Sequence, residues 1–171
     1  MTGLGTHLLI VLVPLIFTGM LHMVAVKFDW LNALQIPIWR NGFGANKTWR
    51  GVVFMPAVNA VFVVLVTVVC RLDQAYPALL GFALGLSYVL FELPNSYIKR
   101  RAGIEAGGRH RKYKYFFYVL DKTDSSLGVT LAYALISGIS LTMAAALFLA
   151  NSLTHAVVAF ALVKLRIKSS F

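Results

Sequence analysis

Five apolar runs partition this chain and leave it few choices of fold. They cover about residues 8–26, 52–70, 77–98 and 127–149 and, shorter, 153–163. A helix needs about 20 apolar residues to cross roughly 30 Å of hydrocarbon. The first four runs meet that length, and the fifth meets it only if its ends snorkel to the interface. The coat of a soluble globule is missing: 59% of the 171 residues are hydrophobic, 13% are charged and the mean hydropathy is +0.77. An ordinary soluble domain carries about 25% charged residues. The expectation is a single membrane domain over 1–171, an all-α integral membrane protein with five transmembrane helices. No basic region precedes the first run and no small-residue cleavage site follows it before Lys27, so it reads as a span rather than a signal peptide. Five unequal runs also lack the matching halves of an inverted-repeat transporter.

Charge orients the spans. Fifteen of the sixteen Lys and Arg fall in the polar loops of about 27–51 and 99–126 and in the C-terminal tail, and Arg71 stands alone on the other side. Cytoplasmic loops of membrane proteins collect Lys and Arg. The N-terminus is therefore expected outside and the C-terminus in the cytoplasm, within the cytoplasmic (inner) membrane. The net charge of +10 then points to anionic headgroups or phosphates rather than nucleic acid. The single cysteine, Cys70, excludes an intramolecular disulfide and a thiolate metal site.

With both long loops on one side, a hydrophilic site must be built from the two together. The first holds Gly42, Gly44 and Gly51 around Lys47 and Arg50. Glycines let a backbone approach a ligand closely, and two cations three apart, expected on one face at the start of the second helix, suit a polyphosphate. A turn with two membrane-anchoring cations is the plainer alternative. Glu92, followed by Pro94, lies inside the third apolar run, and an ionisable group at that depth is expected to face a polar cavity. Snorkelling, or a structural pair with Lys99 or another basic residue, would also explain it. Asp121 and Asp124, at i and i+3, share a face of a helical turn. Magnesium takes one or two carboxylates together with substrate phosphates, whereas a lone aspartate there would simply cap the helix. The basic and aromatic stretch with Arg109, Arg111, Lys112, Lys114, Tyr113, Tyr115 and Phe116 suits a lipid surface. The histidines give weak signals: His7 and His155 near the outer ends, His22 within the first run and His110 in the basic loop. Gly81, Gly85 and Ser87 offer a small-residue face for close helix contact, which would allow a homo-oligomer.

Three segments resemble one family. The run Phe43-Gly44-Ala45-Asn46-Lys47-Thr48-Trp49-Arg50-Gly51 is similar to the F-G-x-x-K-T-W-R-G motif of CDP-archaeol synthases, membrane cytidylyltransferases related to CDP-diacylglycerol synthase. Ser96-Tyr97-Ile98-Lys99-Arg100-Arg101 with Gly103 resembles their S-F-I-K-R-R-x-G, and Leu120-Asp121-Lys122-Thr123-Asp124 their L-D-Q-L-D. Phe91-Glu92 stands where the family usually has Gly-Asp, and Ala45-Asn46 where Asp and His are common. The resemblance implies an enzyme that joins CTP to a membrane lipid phosphate, giving a CDP-lipid and pyrophosphate. It implies Gly44, Asn46, Lys47, Thr48, Arg50 and Ser96 around the nucleotide, and a magnesium ion on Asp121 and Asp124 with Glu92. Lys47, Arg50, Lys99 and Arg100 would supply fixed positive charge, with the active site facing the cytoplasm. The D-G-x-x-A-R pattern of CDP-alcohol phosphotransferases is absent. The non-enzymatic alternative is a catalytically degenerate relative that serves as an anionic-lipid-binding scaffold or carrier.

Overall fold

Backbone groups in hydrocarbon must bond within their own segment, so the apolar runs become helices. The computed structural model describes residues 3–106, 108 and 113–164. In order it has α1 (Leu4–Lys27), a 3-10 turn (Asn32–Leu34), α2 (Arg40–Phe43), α3 (Trp49–Val69), α4 (Pro77–Arg101), α5 (Lys114–Ser137) and α6 (Leu141–Lys164). Among the described residues, α1, α3, α4 and the 141–161 part of α6 are long and apolar enough to cross a membrane. The chain is an all-α membrane protein. The remaining long helix, α5, carries Lys114, Asp121, Lys122 and Asp124 before its apolar portion begins at Leu127.

The second half departs from the expected runs. The 127–149 run is not one helix, because α5 stops at Ser137 and α6 starts at Leu141. Gly138 takes φ +61°, a left-handed conformation that costs glycine nothing, and its N–H bonds Ala134 O at 3.0 Å. The Ser140 hydroxyl then accepts the Met143 N–H at 3.3 Å, so a serine opens α6. α6 therefore absorbs the end of the expected fourth run and all of the 153–163 run. The polar segment of 99–126 contracts too: residues 99–101 close α4 and 114–126 open α5. Arg109, His110, Arg111 and Lys112, like Arg166 and Lys168 of the tail, lie outside the described residues.

The helices form a closed ring. α3 packs between α1 and α4, α4 on α5, α5 on α6, and α6 returns to α1. Ile10, Val11, Leu15, Val63, Leu80, Leu84, Val129, Tyr133 and Leu147 make one core. The small-residue face of α4 is used inside this ring. A Cβ on Gly81 would come 2.7 Å from Asn59 O, and one on Gly85 2.7 Å from Met55 O, so both glycines let α3 lie directly against α4. Ser87 bonds Ala83 O of its own helix. Gly81 and Gly85 are thus used for packing inside the ring. Two buried polar side chains are paired across the ring, with Thr18 Oγ1 donating to Asn59 Oδ1 at 3.2 Å and Asn59 Nδ2 to Gly81 O at 2.7 Å. His7 and the Tyr133 hydroxyl meet at 2.8 Å.

Candidate active site

Alternating connectivity brings the end of α1, the start of α3, the end of α4 and the start of α5 to one end of the ring. The segment after α1 is shaped by its own backbone. Ile38 N–H bonds Lys47 O at 2.9 Å and Trp49 N–H bonds Ile36 O at 3.0 Å, pairing Pro37 with Thr48. This short pairing presents Lys47 to α4, where its ammonium pairs with the Glu92 carboxylate. Gly42 makes room for the Trp39 ring, since a Cβ there would lie 2.2 Å from it. Trp39 in turn stacks on Tyr97 of α4 at 5.9 Å between centroids.

Gly44 turns the chain at φ +91°, and its missing Cβ faces Ala106, Asn46 Oδ1 and the Arg100 guanidinium at 3.2 to 3.6 Å. The two polar loops therefore touch, as their shared side predicts. Asn46 is exposed, while Thr48 is half-buried and stands before the first turn of α3 without a side-chain capping bond.

Arg50 departs from the expected shared face with Lys47. Lys47 precedes the helix, whereas Arg50 lies inside its first turn. The buried Arg50 guanidinium donates to Trp30 O at 3.3 Å and lies 4.0 Å from Asp29 Oδ1. Its Nε has no partner. The Arg100 Nε is also buried without a partner, beside Gly44.

The third segment closes the cluster. Glu92, Asn95, Ser96 and Lys99 form one stripe on α4, at i, i+3, i+4 and i+7. Asn95 is buried, and its Nδ2 donates to Asp121 Oδ1 at 2.6 Å and to Asp124 Oδ2 at 2.7 Å. Lys99 pairs with Asp121, and Asp124 Oδ1 also accepts the Ser125 N–H at 2.6 Å. The Ser96 hydroxyl donates to Glu92 O at 2.9 Å and so is committed to its own helix just past Pro94. Phe91 packs on Gly128, where a Cβ would fall 2.4 Å from the ring, and this contact sets the close approach of α4 and α5.

The two aspartates thus stand together, but Glu92 is held by Lys47. Among the described residues no group of three or more His, Cys, Asp and Glu is arranged to hold a metal ion. The pair nevertheless fits a hard cation that keeps its waters. Two carboxylates converge, and the buried Asn95 Oδ1 beside them has no partner. Asn95 itself went unnoticed in the sequence, although its i+3 spacing from Glu92 was readable there. His155 was also misplaced. With α6 starting at Leu141 it lies mid-helix rather than near an outer end, and its Nε2 meets the Tyr88 hydroxyl at 3.2 Å. Comparisons with protein-family models, with curated proteins and with solved structures find no match.

Proposed function

We propose that this chain is a CTP:lipid-phosphate cytidylyltransferase, making a CDP-lipid and pyrophosphate at the cytoplasmic face of the membrane. One observation carries the reading. Lys47, Lys99, Asp121 and Asp124, from three separated segments, gather with Asn95 at one end of a ring built mainly of apolar helices. A lipid phosphate anchored in the bilayer by its tails meets a soluble nucleotide in such a place. On this reading α5 is the fifth span, the N-terminus is outside, and the segments rich in Lys and Arg are cytoplasmic.

The chemistry asks for charge neutralisation more than for a protein nucleophile. A non-bridging oxygen of the lipid phosphate attacks the α-phosphorus of CTP, and the bond to the pyrophosphate oxygen breaks. Lys47 and Lys99 exchange their carboxylate partners for phosphate oxygens and bring two polyanions together. Arg100, beside Gly44, adds a fixed charge where the two loops touch. Arg50 ties the start of α3 to the 29–30 turn and so keeps Lys47 in place. Asp121 and Asp124 would hold magnesium, which supplies charge stabilisation on the leaving pyrophosphate. Asn95 fixes the spacing of the two carboxylates.

A second reading has one observation in its favour. Glu92 and Asp121 are already neutralised by lysines, as a non-catalytic lipid-binding scaffold would require. The deciding experiment incubates purified protein with labelled CTP, magnesium and a panel of lipid phosphates. Labelled CDP-lipid supports the enzyme. Lipid binding with no product under any condition of the panel sinks it.

A further inference from the structure

The polar stripe of α4 does not end at Glu92. One turn deeper in the bundle the Tyr88 hydroxyl crosses the interior of the ring to His155 of α6. One turn before His155 on α6 stand Asn151 and Ser152, and α5 contributes Thr130. Asn151 is 6% exposed and Thr130 5%. The Asn151 Nδ2, Ser152 Oγ and Thr130 Oγ1 atoms are buried with no hydrogen-bond partner. Thr130 lies about 12 Å back from Gly138 along α5, and Asn151 about 15 Å beyond Leu141 along α6, at 1.5 Å per residue. The two therefore sit at nearly the same depth on packed neighbouring helices. Burying donors in hydrocarbon without acceptors is unfavourable, and in a membrane no bulk water relieves it.

We infer that Thr130, Asn151 and Ser152, beneath the Tyr88–His155 pair, form a subsite for the uncharged oxygens of the lipid backbone adjoining the phosphate. The three groups are neutral hydroxyls and an amide donor, which suit acceptor oxygens rather than a second phosphate or a cation. Their place is one to two turns below Glu92, on the side of the charged cluster away from the cytoplasm. A lipid whose phosphate lies at Lys47 and Lys99 would direct its backbone oxygens toward them. This inference rests on the reading of a lipid phosphate as substrate. Ester carbonyls and ether oxygens share the required chemistry.

The test measures binding in nanodiscs without CTP or magnesium, so it is read separately from product formation. Three probes are compared: a diacylglycerol phosphate, a dialkylglycerol phosphate and hexadecyl phosphate, which has no backbone oxygens. Wild type should prefer the glycerol lipids over hexadecyl phosphate by about tenfold, the scale of one or two hydrogen bonds. Thr130→Val combined with Asn151→Leu should erase that preference and leave hexadecyl phosphate binding unchanged. Loss for the diester alone assigns the contact to ester carbonyls, and loss for both lipids assigns it to the oxygens they share. Ser152→Ala and Thr130→Val singly give partial losses if the double variant does not fold. A preference that is absent in wild type, or that survives the substitutions, overturns the subsite even if CDP-lipid is formed. Binding as described without CDP-lipid formation would overturn the enzyme alone. A double variant that gains thermal stability with unaltered lipid preference would show a hydrated interior only, and would likewise overturn the subsite.

Discussion

Asn95 Nδ2 lies 2.7 Å from Asp124 Oδ2 across the seam of α4 and α5, and the same nitrogen holds Asp121 Oδ1 at 2.6 Å. One amide thereby sets the spacing of two carboxylates that would otherwise repel. Groups that orient metal ligands typically matter about 10–100-fold for metal affinity or activity. Asn95→Leu should therefore raise the magnesium concentration needed for half-maximal CDP-lipid formation by about that factor. An unchanged magnesium titration would reduce Asn95 to a packing residue.

The aspartates themselves should be indispensable. Asp121→Asn and Asp124→Asn are each expected to abolish metal-dependent turnover while circular dichroism still reports a folded helical protein. If Asp121→Asn shows the metal dependence of wild type, Asp121 is outside the site.

The Lys47–Glu92 pair joins the first polar loop to the middle of α4, and both side chains are largely covered. Removing one partner leaves the other charge uncompensated, so Glu92→Gln should cost about 1–3 kcal/mol. Adding Lys47→Met to Glu92→Gln should recover part of that loss, with a coupling of about 0.5–3 kcal/mol. Thermal unfolding of the four proteins in detergent measures the cycle. Strict additivity would show that the pair contributes no coupling.

Gly128 carries the contact of α4 with α5. A methyl group there would meet the Phe91 ring at 2.4 Å, so Gly128→Ala should destabilise by about 1–3 kcal/mol, the usual cost of overpacking. Phe91→Ala in the same chain should relieve the clash. A Gly128→Ala protein as stable as wild type would mean that the helices separate at no cost.

Topology can be read from the native cysteine. Cys70 is exposed in the turn between α3 and α4, at the end of the bundle opposite Lys47 and Lys99. A membrane-impermeant maleimide should label it in intact cells. Ala45→Cys in a Cys70→Ser background should react only after permeabilisation. The reverse pattern would invert the proposed orientation.

The first three apolar runs, the gathering of Lys47, Lys99 and Arg100 at one end and the meeting of the two polar loops were legible in the chain itself. Each depends on quantities that add along a sequence: hydropathy over about 20 residues, and the parity of successive crossings. The break at Gly138 was not caught, because a three-residue turn between apolar helices barely changes a hydropathy sum. Its signal was local, a glycine followed two residues later by a serine. The partners of individual charges lay further out of reach. That Glu92 meets Lys47 rather than Lys99, that Asn95 bridges both aspartates and that His155 lies opposite Tyr88 all depend on cross-helix register. That register is decided by close packing at Gly81, Gly85 and Gly128, where absent side chains let neighbouring helices approach. A contact of that kind belongs to two helices at once, so only the tertiary structure could decide it.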